Sequence, residues 1–72
     1  MDLPTAQRRL AKRIRALRKA KGLSQEDMED FGLTSRGLQK LEYGLSDPKL
    51  SSLLKISRAL GVGLGELLDL EQ

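Results

Sequence analysis

The sequence predicts an all-α domain of five helices, and three observations point there. Apolar residues recur at spacings of three and four along most of the 72 residues, the period of helices with one buried face. No two-residue alternation is sustained and the only aromatics are Phe31 and Tyr43, so nothing reads as a strand. Gly22, Gly32, Gly44, Gly61 and Gly63 fall between the periodic segments as punctuation.

The first segment runs from about Thr5 to Lys21. Leu10, Ile14 and Leu17 form its inner stripe, flanked by Ala11 and Ala20, while Lys12, Arg15 and Lys19 point away. The second begins at Ser24, which with Asp27 approximates a capping box, Asp replacing the usual Glu or Gln. Leu23 and Met28 have the spacing of a hydrophobic staple across that cap, and Gly32 ends a helix of about two turns.

The third segment is "GLTSRGLQKLEYG", residues 32–44. Thr34 caps it, and Leu33 with Leu38 repeats the staple. At 100° per residue, Leu38 and Leu41 centre the inner face. Arg36, Gln39, Lys40 and Tyr43 take the opposite side, with Glu42 on the border. The fourth comes after "SDP", with Asp47 as cap and Pro48 in the first turn. Its inner face is Leu50, Leu53, Leu54, Ser57 and Leu60, with Ile56 beside it. The fifth opens after Gly63 with a Val62–Leu67 staple; Leu64, Leu67 and Leu68 face inward. Leu3, Leu45 and Leu70 are either core edges or a dimer contact.

Composition narrows the function. One small domain, residues 1–72, is expected, with a core of marginal size. With no Cys and no His, disulfides, thiolate chemistry and the usual zinc ligands are absent, and no nucleophile–base pair is visible. The reading is therefore not an enzyme and without metal or cofactor. No apolar run has the length of a membrane span or signal peptide, so a cytoplasmic protein with no membrane partner is expected. The net charge of +3 is unevenly spread: residues 1–22 hold eight basic side chains against Asp2 alone, and residues 23–72 hold five basic and nine acidic ones. Such a basic segment suits an anionic partner, although a solvated helix face has the same composition. Glu26, Asp27, Glu29 and Asp30 lack the spacing of a calcium loop. The first two suit a helix N-terminus.

Two short helices joined by a tight glycine-containing turn suggest a helix-turn-helix. Taken in order, "RIRALRKAKGLSQEDM", "GLTSRGLQKLEYG" and "DPKLSSLLKISRALGVGLGELL" closely resemble the phage Cro/CI-repressor family of helix-turn-helix domains, also called the xenobiotic-response-element type, over about residues 10–69. The matching parts are the Arg before "KGLSQ", the Ser-Gln opening helix two, Leu–x–x–Leu–Glu in helix three, the Pro before helix four, and "ALGV…ELL".

The resemblance implies a five-helix, lambda-repressor-like fold whose helix-turn-helix unit spans about residues 24–43, with recognition helix 35–43 in the major groove. Ser35, Arg36, Gln39 and Lys40 match the base-facing positions. Ser24, Gln25, Thr34, Tyr43 and Arg18 are expected at phosphates, and Arg18 with Glu42 matches a structural ion pair joining helices one and three. The side-chain chemistry agrees with DNA as partner: Arg forks onto guanine O6 and N7, Gln pairs bidentately with adenine, and Lys40 reaches guanine or phosphate.

The chain departs from the family pattern in three places. From Gln25 to Leu38 it is one residue shorter, with Glu29 near the place of a small residue packed under the recognition helix, so an altered angle between helices two and three is expected. Gly37 lies in the recognition helix, where it allows close approach to helix two or to DNA. The loop "GLSDPK" leaves Leu45 exposed and Lys49 alone. The expectation is a sequence-specific transcriptional regulator of double-stranded DNA. It acts as a homodimer on an inverted repeat, with helix five and the chain end as the dimer surface. The alternative is an antitoxin-like or anti-repressor-binding module with weak or non-specific DNA binding. The sequence designates no effector or partner protein.

Overall fold

The computed structural model describes residues 1–71. Four α-helices carry the chain: α1 (Leu3–Ala20), α2 (Ser35–Glu42), α3 (Leu50–Leu60) and α4 (Leu64–Leu67). A 3-10 helix, Asp27–Phe31, lies between α1 and α2, and no strand occurs among the described residues.

α1 starts two residues ahead of the expected Thr5 because the Asp2 carboxylate accepts from the Thr5 amide at 2.9 Å. Pro4 sits in the first turn, where its missing N–H costs nothing. The Asp2 carboxyl is held below its ordinary pKa, first by the Thr5 hydrogen bonds. Leu10, Ala11 and Ile14 are buried and Leu17 packs against the core.

The expected second helix is corrected from α to 3-10. Ser24 and Asp27 do cap each other: the Asp27 amide donates to Ser24 Oγ at 3.0 Å, and the Ser24 amide to Asp27 Oδ2 at 2.8 Å. Beyond this cap the backbone is wound tighter, with Met28 donating to Gln25 O and Glu29 to Glu26 O. A 3-10 helix rises about 2.0 Å per residue against 1.5 Å for an α-helix, so fewer residues cover the same distance. This accommodates the residue missing before Leu38. Met28 is fully buried in the core that Leu38 and Leu41 of α2 also enter; Glu29 is exposed and packs under nothing. Gly32 turns the chain with φ +87°, a conformation only glycine adopts cheaply.

α2 has eight residues, too few to persist alone. Thr34 Oγ1 accepts from the Gly37 amide at 3.0 Å, and Leu38 and Leu41 bury the inner face. A Cβ on Gly37 would lie 2.9 Å from Thr34 Oγ1. The close approach that Gly37 permits is thus to its own cap.

α3 corrects two expectations. It begins at Leu50 with Lys49 at the cap position and no side-chain cap bond, not at Asp47–Pro48. Pro48 instead is half-buried in the connection, lining a cleft with Leu10, Leu53 and Leu70, and its ring favours extended backbone at Asp47. The inner face is Leu53, Ile56, Ser57 and Leu60, with Ala59 also buried, whereas Leu50 and Leu54 are exposed. The helix packs on the 3-10 helix, α4 and α1, with Leu50 and Leu54 on the side turned away from them.

α4 is a single turn. Leu67 is fully buried and Leu64 packs against the core, but Leu68 is exposed and Leu70, read as either a core edge or a dimer contact, packs against the core. The helix ends after this single turn, and the chain that follows returns Leu70 rather than Leu68 to the core. Burying each of Ile14, Met28, Leu38, Ile56, Leu60 and Leu67 contributes about 1.5–3 kcal/mol relative to exposure. α1 packs against α2, α3 and α4, and so frames the whole core.

Candidate nucleic-acid interface

Glu42 fixes how α2 is presented. Its side chain is buried and receives the Arg18 guanidinium in a fork: Arg18 Nε to Oε2 at 2.7 Å and Nη2 to Oε1 at 2.8 Å. The third Arg18 nitrogen, Nη1, donates to Leu23 O at 2.8 Å. The bonds to Glu42 raise the Arg18 pKa above its ordinary value; burial opposes the shift and the carboxylate charge adds to it. With its donors turned inward and 9% of its surface exposed, Arg18 leaves the set of expected phosphate contacts. Its role here is to hold α1 to α2.

Arg15 is also corrected from a solvent-pointing residue. Its Nη2 donates to Glu42 O at 2.7 Å and its Nε lies 3.7 Å from Glu42 Oε1, so it satisfies a carbonyl at the negative end of α2. The signal was in the sequence: Arg15 lies one turn before Arg18 and shares its side of α1. Gln25 Nε2 approaches Glu42 Oε1 at 3.4 Å. Gln25 is thereby tied to the same hub and stands at the mouth of a cleft that Ser24, Glu26, Ser35 and Gln39 also line.

On the outer side of α2, Arg36, Gln39, Lys40 and Tyr43 are exposed. None of the four side chains has a hydrogen bond or ion pair to any described residue. Arg36 and Lys40 form one i, i+4 row, and Ser35 with Gln39 another. Ser35 is half-buried, and its hydroxyl donates to Glu29 Oε1 at 2.6 Å. Ser24 and Thr34 each use one acceptor site for capping. The Asp27 carboxyl that completes the first cap is held below its ordinary pKa, mainly by the Ser24 amide.

α1 carries two kinds of basic residue. Arg9 Nη1 donates to Leu70 O at 2.8 Å and Arg13 Nε to Glu66 O at 2.7 Å, ties to the chain end that the sequence did not announce. Lys12 and Lys19 are exposed and reach no described partner. No helix is long and apolar enough to cross a membrane, and no group of acidic residues among those described is placed to hold a metal ion.

Comparison with known proteins places this arrangement. The profile of the helix-turn-helix family matches residues 14–67. The SPbeta prophage-derived uncharacterized HTH-type transcriptional regulator YonR of Bacillus subtilis (strain 168) is 44% identical over 57 residues, which is 78% of this chain and 53% of that protein. The chain thus spans about half the length of this curated relative. The crystal structure of a hypothetical transcription factor, NHTF, from Neisseria is 32% identical. It matches with a TM-score of 0.86 over 100% of this chain and 84% of that one.

Proposed function

This chain belongs to the helix-turn-helix family of DNA-binding transcription regulators, of the Cro/CI or xenobiotic-response-element type, and from that premise we propose that it reads a specific operator through α2. Arg36, Gln39 and Lys40 contact bases in the major groove, joined by Ser35 at the start of the helix. Ser24, Gln25, Thr34 and Tyr43 bind the phosphates on either side, and residues 1–72 act as one DNA-binding domain. The observation that carries this reading is the contrast around one helix: Glu42 is buried and forked by Arg18, while Arg36, Gln39 and Lys40 stand exposed and unpartnered on the other side. Two copies bind an inverted repeat, since one eight-residue helix reads few bases and half-sites about 34 Å apart double the contacts. Exposed Leu3, Leu45 and Leu68 are available to that pairing.

Selection of bound DNA from a random pool tests the proposal. The wild type should enrich a two-fold symmetric motif. Arg36→Ala/Lys40→Ala should lose it, and Lys12→Ala/Lys19→Ala should keep it with weaker binding. No enriched motif, with equal binding by all three proteins, would falsify the reading. Sedimentation on the selected DNA checks the dimer; one copy per symmetric site removes it.

A second reading rests on Glu26, Asp27, Glu29 and Asp30, all exposed along the 3-10 helix beside α2. This acidic edge suits a protein-interaction module that docks a basic partner. That reading predicts non-specific DNA binding at most, and the same selection separates the two.

A further inference from the structure

We propose that Glu29 is a specificity-determining residue, which acts through Ser35 to make the first position of α2 select an amino-bearing base. The inference rests on α2 being the base-facing helix. A free serine hydroxyl rotates, donates or accepts, and therefore pairs with almost any base edge. Ser35 has lost that freedom. Its proton is directed to Glu29 Oε1 at 2.6 Å, the short range of a hydroxyl bound to an ionised carboxylate, about twice as strong as a neutral hydrogen bond. What Ser35 then offers to the cleft it shares with Gln25 and Gln39 is lone pairs alone.

The major-groove edges divide on that property. Cytosine presents its N4 amino group and adenine its N6 amino group, whereas guanine O6 and N7 and thymine O4 are acceptors. An acceptor-only serine pairs with the first two and meets lone pairs on the others. Glu29 reinforces the choice, since its second carboxylate oxygen accepts equally well from cytosine N4. The same carboxylate lies near the N-terminal end of α2, where negative charge is favourable. The 3-10 winding of residues 27–31 brings Glu29 there, although the family pattern places a small residue at about this point.

The test repeats the selection with Glu29→Ala, Glu29→Gln and Ser35→Ala. Glu29 is exposed, so matched thermal midpoints should show that the fold is kept. The wild-type motif should contain C or A on the strand facing Ser35, at one position per half-site. Glu29→Ala should flatten that position alone, by about fivefold in relative affinity, the size of one net hydrogen bond. Glu29→Gln keeps an amide oxygen for Ser35 to donate to, and should retain the preference. Ser35→Ala should flatten the same position as Glu29→Ala. A wild-type motif that Glu29→Ala leaves unchanged, or weakens evenly at every position, overturns the inference and leaves the proposed function standing. The absence of any wild-type motif overturns both.

Discussion

α1 and α2 are both amphipathic and basic, yet they use their charge in opposite ways. On α1 four of the five arginines are tied to backbone carbonyls outside the helix: Arg9, Arg13, Arg15 and Arg18 donate to Leu70 O, Glu66 O, Glu42 O and Leu23 O respectively. On α2, Arg36 and Lys40 donate to nothing described. A guanidinium has five donors in a rigid fork and suits carbonyls left over at chain ends and helix ends. Positive charge in the sequence is therefore poor evidence for a nucleic-acid contact. Whether the donors are already committed is better evidence, and on these two helices Arg36 and Lys40 of α2 and Lys12 and Lys19 of α1 are the uncommitted ones among the described residues.

The sharpest way to break this contrast is at the hub. Glu42→Ala leaves the buried Arg18 guanidinium without its carboxylate, and should cost about 3–5 kcal/mol in urea unfolding. A loss under about 1 kcal/mol would mean that the pair does not orient α2. Because the Arg18 pKa is raised rather than lowered, the side chain stays protonated throughout the accessible pH range, so this contribution should not fade in mild alkali.

On the other face, Arg36→Ala should weaken binding to the selected operator by about 1–3 kcal/mol with an unchanged urea midpoint. A fall in stability of similar size would make Arg36 a structural residue like those of α1. Within α1 itself, Arg15→Ala should cost about 1 kcal/mol of stability and leave the salt dependence of DNA binding intact. Lys12→Ala and Lys19→Ala should do the reverse, each lowering the salt slope by up to about 1. Equal salt effects from Arg15 and the lysines would erase the distinction.

Smaller effects test the caps. Thr34→Ala should lose about 1 kcal/mol. Gly37→Ala should gain little alone, since its Cβ meets Thr34 Oγ1 at 2.9 Å. Combined with Thr34→Ala it should recover up to about 1 kcal/mol of helix propensity, and a cycle of thermal melts would show the coupling. Finally, Asp2 and Asp27 have folded pKa values below their unfolded ones. Their contribution is complete above the unfolded value near 3.8 and fades as pH falls through the folded ones. Asp27→Asn should therefore flatten the acid limb of a stability–pH curve and leave its neutral plateau lower.

Local features were legible along the chain. The Ser24–Asp27 and Thr34 caps close over three residues, and the Leu38/Leu41 stripe comes from helical period alone. Those suffice to say which side of residues 34–43 faces outward. Less legible were features set by distant parts of the chain. Leu50 and Leu54 fit the apolar period of α3 but are exposed while Leu53 between them packs inward, because an apolar stripe wider than the contact does not say which of its edges is covered. The Glu29–Ser35 bond crosses the turn whose winding the missing residue altered. Arg15 and Glu42 are 27 residues apart; spacing on α1 puts Arg15 on the side of Arg18 but does not name the carbonyl it reaches.

By itself the sequence determined the helical period, the caps, the glycine stops and the identity of the outward side chains on α2, since these depend on hydrogen bonds and geometry within one or two turns. Tertiary structure alone decided that the second helix is 3-10, that Leu70 rather than Leu68 returns to the core, and which basic residues remain available to a partner. Each of those depends on where a carbonyl, a carboxylate or an apolar surface from elsewhere in the chain comes to lie, and that is settled only when α1 closes against α2, α3 and α4.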